Sequence, residues 1–178
     1  FLMTMPQLEY GETQTSFIPT SGSAVTRASD DLVISGSAFT DFYNQSEGTF
    51  YVESVLQLNT NTSFIFDVNN GEAQRNLLYY PDTNNSKVLI RKDNATSASL
   101  NIGSRPSVGV LSRAAFGYAT NDLKGSVDGG SVITDTSVTL PTTVNKINIG
   151  SHVTLSDQHH LNGHIKRLIY WPTHSDNL

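Results

Sequence analysis

The sequence predicts an all-β domain, built as an antiparallel sandwich or barrel. Three observations carry that prediction. Short apolar segments recur along the chain and are bounded by Asn, Asp, Gly and Pro. No stretch shows a capped, 3.6-periodic apolar stripe over three turns, as a helix requires. Ser, Thr and Asn number 21, 19 and 15 of 178 residues, while charged residues are only 15%. Those three residue types compete with helical hydrogen bonding and favour turns.

The elements follow in order. In Phe50–Leu58, Phe50, Val52, Leu56 and Leu58 fall on one face and Tyr51, Glu53 and Gln57 on the other, as in a half-buried strand. Ser63–Val68 comes next and is closed by Asn69-Asn70-Gly71, whose Asn-Gly supplies the positive φ of a tight hairpin. Arg75–Tyr80 is the return strand and stops at Pro81-Asp82. Further strands are expected at Lys87–Lys92, Ala98–Ile102, Val108–Ala119, Leu123–Val127, Ser131–Thr134, Lys146–Ile149 and His164–Trp171. Asp128-Gly129-Gly130 is the second strong hairpin signal. The last strand carries apolar residues at both parities, so it is buried on both faces or interrupted by a bulge.

Composition excludes several classes. There is no cysteine, hence no disulfide framework and no thiolate metal site. A net charge of −5 argues against a nucleic-acid partner. No apolar run approaches the ~20 residues of a membrane span. The chain begins Phe1-Leu2-Met3 without a signal-peptide pattern, and is expected to be a piece of a longer polypeptide or a processed product. Residues 1–31 differ from the rest: Ser16–Ser29 is rich in Ser, Thr and Gly, and reads as an extended arm or linker stiffened by Pro19. Residues 32–178 form the β domain.

Gln7-Leu8-Glu9-Tyr10-Gly11, Thr15–Gly22 and Val25–Asp30 resemble a recurrent join between jelly-roll modules of tailed-phage and prophage virion proteins. Ala115–Asp122, Val127–Gly130, Leu140-Pro141-Thr142 and Leu161–Pro172 resemble the module that follows it, a concanavalin A-like (laminin-G-like) lectin/glucanase jelly roll. Trp171 departs from the family pattern but keeps an aromatic ring there. The resemblance implies a two-sheet jelly roll for residues 32–178, a virion or extracellular location, and a homo-oligomer, trimers being common among fibre proteins. Its partners would be a bacterial surface glycan or other virion proteins.

Glucanases of this fold set two or three carboxylates on alternate residues of one strand. The five Glu here (Glu9, Glu12, Glu47, Glu53, Glu72) offer no such arrangement, and Glu53 is the lone acid of its strand. A non-enzymatic attachment module is therefore expected, with a structural decoration module as the alternative and a glycan depolymerase behind both. Sugars stack on aromatic faces. The candidates are Tyr43 beside Asn44 and Gln45, the pair Tyr79-Tyr80, and Trp171 with Tyr170; the competing reading is that these rings cover the core. Asp67, Asn69 and Asn70 carry hard oxygens of the kind Ca²⁺ takes. Asn69-Asn70-Gly71 is already explained as a turn, so no cofactor is expected. His152, Asp157, His159, His160 and His164 cluster in sequence, but a turn and a strand scatter them, and a solvated loop is expected rather than a metal site.

Overall fold

In the computed structural model the strands assemble into two antiparallel sheets. The description covers residues 17, 19, 21–25, 32–58, 63–71, 76–141, 143–153 and 160–178. The six-stranded sheet has the order β1-β10-β3-β4-β5-β6, from Leu32–Ser35, Lys146–Ile149, Phe66–Asn69, Asn76–Pro81, Asn85–Lys92 and Ala95–Ser104. The five-stranded sheet has the order β11-β2-β7-β8-β9, from Gly163–Trp171, Glu47–Leu56, Leu111–Ala119, Asp122–Val127 and Ile133–Asp135. The only helix among the described residues is a single turn, α1 (Ser37–Thr40). The chain divides into two units, Phe1–Asp30 and Asp31–Leu178. The sheets belong to the second.

Period-2 alternation builds the core. β2 sends Phe50, Val52 and Leu56 inward, and β7 sends Ala114, Phe116 and Tyr118. From the other sheet come Phe66, Val68, Leu77, Tyr79, Val88 and Ile90. Aromatic rings join the sheets: Phe66 lies 4.5 Å from Phe50 and 5.9 Å from Phe116, between centroids. At Gly125 the sheets approach so closely that a Cβ would stand 2.6 Å from Ile102 Cγ2.

Asp128 (φ 51°) and Gly129 (φ 74°) are the central pair of a β-turn at the expected Asp128-Gly129-Gly130, closed by the Gly130 N–H on Val127 O at 2.9 Å; ladder pairing between β8 and β9 resumes at Gly125 and Ile133. Asp93 (φ 49°) and Asn94 (φ 68°) make another between β5 and β6, where Asp and Asn tolerate the left-handed region. The Asn69-Asn70-Gly71 expectation needs correction. β3 and β4 do pair as a hairpin, but the register matches Asn69 to Asn76, so the connection is six residues long. The Asn69 carboxamide folds back to accept the Gly71 N–H at 2.8 Å, an Asx turn instead of a tight β-turn.

β11 also resolves differently from double burial. It is an edge strand, and a register shift between Ile165 and Arg167 changes its parity. Ile165, Leu168 and Tyr170 pack on the core, while Arg167, Ile169 and Trp171 lie on the outer face. The bulge is the reason apolar residues occur at both parities.

A knot of tyrosines ties the start of β2 to β7 and β11. The Tyr118 hydroxyl donates to Asn44 O at 2.8 Å, and the Asn44 N–H donates to the Tyr170 hydroxyl at 2.9 Å. The two hydroxyls are 3.0 Å apart. Burial pushes both phenols above their ordinary range.

Candidate functional surface

The four aromatic candidates do not converge. Tyr43 is 9% exposed and stacks on Phe39 at 4.6 Å and Tyr170 at 5.4 Å. Tyr79 is 1% exposed and points inward, its ring 5.7 Å from Phe116. Neither ring can present a face to a sugar, and both leave the candidate set: their parity and neighbours make them core. Tyr80 is half-buried on the outer face of the six-stranded sheet, against Phe64 at 5.1 Å. Trp171 is different: it is 46% exposed, on the outer face of the five-stranded sheet.

The register of that sheet sets what surrounds Trp171. Trp171 lies opposite Thr49, which lies opposite Gly117; Ile169 opposite Tyr51 and then Ala115; Arg167 opposite Glu53 and then Arg113. Successive rows on one face are ~7 Å apart, two residues along a strand. The segment after β11 turns back across the first row. Thr49 Oγ1 donates to Thr173 O at 2.8 Å and accepts the Ser175 N–H at 2.9 Å, and the His174 N–H reaches Glu47 Oε2 at 3.3 Å. His174 lies over Gly117, where a Cβ would meet its Cδ2 at 3.0 Å.

Between this segment and the sheet lies a groove of about 490 Å³, with Thr49, Tyr51 and Ala115 as floor and Trp171, Thr173, Ser175 and Asn177 as wall. An indole face, a phenol ring, hydroxyls and a carboxamide therefore share one concavity. That is the chemistry a pyranose uses: an apolar C–H face to stack and hydroxyls to hydrogen-bond. A larger hollow of about 590 Å³ runs beside β6 and β8, lined by Asn101, Arg105, Asp128 and neighbours; it contains no aromatic ring.

The third row is charged. Arg113 Nε lies 3.6 Å from Glu53 Oε1, Arg167 Nε lies 3.9 Å from Glu53 Oε2, and the Tyr51 hydroxyl donates to Glu53 Oε1 at 2.8 Å. The Tyr51 hydrogen bond, with the nearby cations, holds the Glu53 carboxyl below its ordinary range against the opposing effect of desolvation.

Of the oxygens considered for Ca²⁺, Asn69 Oδ1 and Asp67 Oδ2 are used internally. Asp67 and Asn69 are fully buried under the segment after β10. The Asn69 amide donates to Asp67 O and Asn148 Oδ1 at 3.0 and 2.9 Å, and Asp67 Oδ2 accepts the Val153 N–H at 2.9 Å. Of the sequence-clustered histidines, His152 stands 3.9 Å from Asp67 and His164 is exposed. Asp157 and His159 lie outside the described residues. A carboxylate–imidazole group that sequence spacing did not reveal, Asp122, His174 and Asp176, lies within 4.8 Å. Lys124 Nζ already supplies its positive charge, at 3.2 Å from Asp122 and 3.0 Å from Asp176.

No family model matches the sequence, and no curated protein does. Solved structures do match. The CBM40 module of a Ruminococcus gnavus IT-sialidase, in a structure bound to α2,3-sialyllactose, superposes with a TM-score of 0.67 at 14% identity, over 83% of this chain and 92% of that one. Domains LG4-5 of the mouse laminin α1 chain give 0.61 at 12% identity, over 81% and 40%. Sheep galectin-11 gives 0.53 at 9% identity, over 82% and 100%. The fold is a jelly-roll β-sandwich. At these identities the likeness extends to architecture alone, which agrees with the fold expected from the sequence.

Proposed function

We propose that residues 32–178 form a non-catalytic glycan-attachment module, displayed outside the cell on a phage or prophage virion, with residues 1–31 as the arm that joins it to a preceding module. One observation carries the binding part: the half-exposed Trp171 ring at the edge of a groove floored by Tyr51 and Thr49. An exposed apolar side chain is ordinary by itself; what supports binding is the pairing of an indole with a hydroxyl-lined concavity, which a sugar ring uses. The CBM40 neighbour, whose structure holds sialyllactose, supports the reading by analogy of fold. The virion context rests on the resemblance of Gln7–Asp30 and Leu161–Pro172 to virion modules, which also favours a homo-oligomer.

Hydrolysis is disfavoured because no Asp or Glu side chain is among the described residues that line the groove. Glu53, one row beyond Tyr51, has its carboxyl held below the ordinary range by the Tyr51 hydroxyl and the nearby cations, which does not suit the general acid of glycoside hydrolysis. The decoration-module reading draws on a separate feature: Leu32 and Val33, 57% and 37% exposed on edge strand β1, suit a protein contact. A glycan array probed with the purified chain separates the two. Discrete retained glycans support attachment; an empty array, together with recovery of the chain bound to other virion proteins, supports decoration. Detection of the chain by mass spectrometry in purified virions tests the context.

A further inference from the structure

The outer face of the five-stranded sheet is electrically polarised. At one end, Asp122 and Asp176 surround Lys124 beside the segment that follows β11. At the other, Arg113 and Arg167 flank Glu53, and the exposed Lys166 adds a third cation. That end is net positive in a chain whose net charge is −5. The groove containing Trp171 and Tyr51 lies between the two.

The arginine pair is not explained by stability. Both guanidinium side chains are more than half exposed, 55% and 58%, and their contacts with Glu53 are long and run through Nε alone. Exposed pairs of that kind contribute little. The Arg113 backbone N–H donates to the Asp128 carboxylate at 2.7 Å, but no further hydrogen bond is made by either guanidinium among the described residues, and with Glu53 and Asp128 counted against three cations this end stays net positive. Glu53 is the opposite case: its side chain is 16% exposed and is fixed by the Tyr51 hydroxyl. It serves as a part-buried anchor that places one guanidinium on each side of it. Two guanidinium forks over one anchored carboxylate leave an excess of planar, bidentate donors, the geometry that suits a carboxylate.

Resting on the glycan-attachment reading above, we infer that this surface recognises an acidic oligosaccharide. A sugar residue stacks at Trp171 and Tyr51, and the carboxylate of a neighbouring hexuronic or sialic acid residue is taken by Arg113 and Arg167. The row spacing supports this division of roles. Arg113 lies one row, ~7 Å, beyond Ala115 on the groove floor, and Arg167 lies two rows, ~13 Å, beyond Trp171. The stacking ring and the charged pair therefore suit successive residues of one chain rather than a single monosaccharide. The charge gradient also sets direction, with the acidic residue at the Arg113/Arg167 end and away from Asp122 and Asp176.

The test is an array carrying sialyllactose and oligogalacturonate, each beside its own methyl ester, which keeps the sugar skeleton and removes the charge. Wild-type protein should retain at least one acid about tenfold more tightly than its ester, as expected for a charge-assisted pair. Arg113→Gln/Arg167→Gln should abolish that preference while leaving residual binding of the ester and an unchanged melting temperature. Raising the salt concentration should weaken the acid and spare the ester. Acid and ester bound equally, both lost on Trp171→Ala, would overturn the acidic-ligand inference and leave the attachment reading standing. Binding of neither acid nor ester overturns the acidic-ligand inference, and an empty general glycan array then overturns the attachment reading as well. Arg113→Gln or Arg167→Gln alone, each at an exposed site, gives the same readout if the double variant folds poorly.

Discussion

Replacing Tyr118 by Phe removes one hydroxyl from the tyrosine knot and changes nothing else in shape. That hydroxyl is the donor to Asn44 O at 2.8 Å and stands 3.0 Å from the Tyr170 hydroxyl. The ring itself is 1% exposed and keeps its packing. A neutral hydrogen bond contributes ~1 kcal/mol net, and a carbonyl left without its donor in a part-buried position costs up to a further ~1 kcal/mol. The expected loss is thus ~1–2 kcal/mol, or a fall of roughly 3–8 °C in melting temperature for a domain of this size. Tyr170→Phe strands the Asn44 N–H in the same way. Both hydroxyls serve Asn44 and touch each other, so the double variant should lose less than the sum of the two, by ~0.5 kcal/mol or more. Urea denaturation of the four proteins measures this. A Tyr118→Phe protein as stable as wild type, or strictly additive losses, would show that the knot does not hold the start of β2 to β7 and β11.

Two further predictions concern packing and acid stability. Gly125→Ala places a methyl 2.6 Å from Ile102 Cγ2 and 3.0 Å from Phe116 Cβ, neither of which is the free end of a flexible chain; it should cost ~1–3 kcal/mol by overpacking, read as a lower urea midpoint at unchanged slope. At Asp82, burial would raise the carboxyl, but Lys87 Nζ and the N–H groups of Asn84 and Asn85 outweigh it and hold it at about 2, below the ordinary 3.8. Its contribution is therefore present above pH ~4 and lost as pH falls towards 2; after allowance for solvent screening it is ~1 kcal/mol. Asp82→Asn should remove that increment at pH 7 and flatten the stability profile between pH 4 and 2, as thermal melts across that range would report.

The parts of the fold legible in the sequence are those encoded by local rules. Alternation placed Phe50, Val52 and Leu56 inside and Tyr51 and Glu53 outside, and Asp128-Gly129 announced its turn. Asp93-Asn94 carries a weaker signal, since it lacks the glycine that marks Asp128-Gly129. The candidate surface was less legible because it depends on register between strands far apart in the chain. Nothing local says that Arg167, Glu53 and Arg113 share a row, or that Thr173–Asn177 folds back over Thr49. The adjacent tyrosines divide by parity: Tyr79, at 1% exposure, is a core ring, the competing reading for that pair, while Tyr80 is half-buried on the outer face. Tyr51 could have been found: it is an aromatic residue on the polar parity of an otherwise well-patterned strand.

Trp171→Ala tests the central claim most directly, with affinity for an array-identified oligosaccharide and melting temperature measured on the same preparation. The indole is 46% exposed and sits at an edge-strand terminus, so its removal should change stability by less than ~1 kcal/mol. If it is the stacking platform, affinity should fall at least tenfold, the behaviour of a central aromatic anchor. Undiminished binding by a folded Trp171→Ala protein would contradict a sugar site at this groove, and unfolding of the variant would return Trp171 to the structural role expected of a core ring.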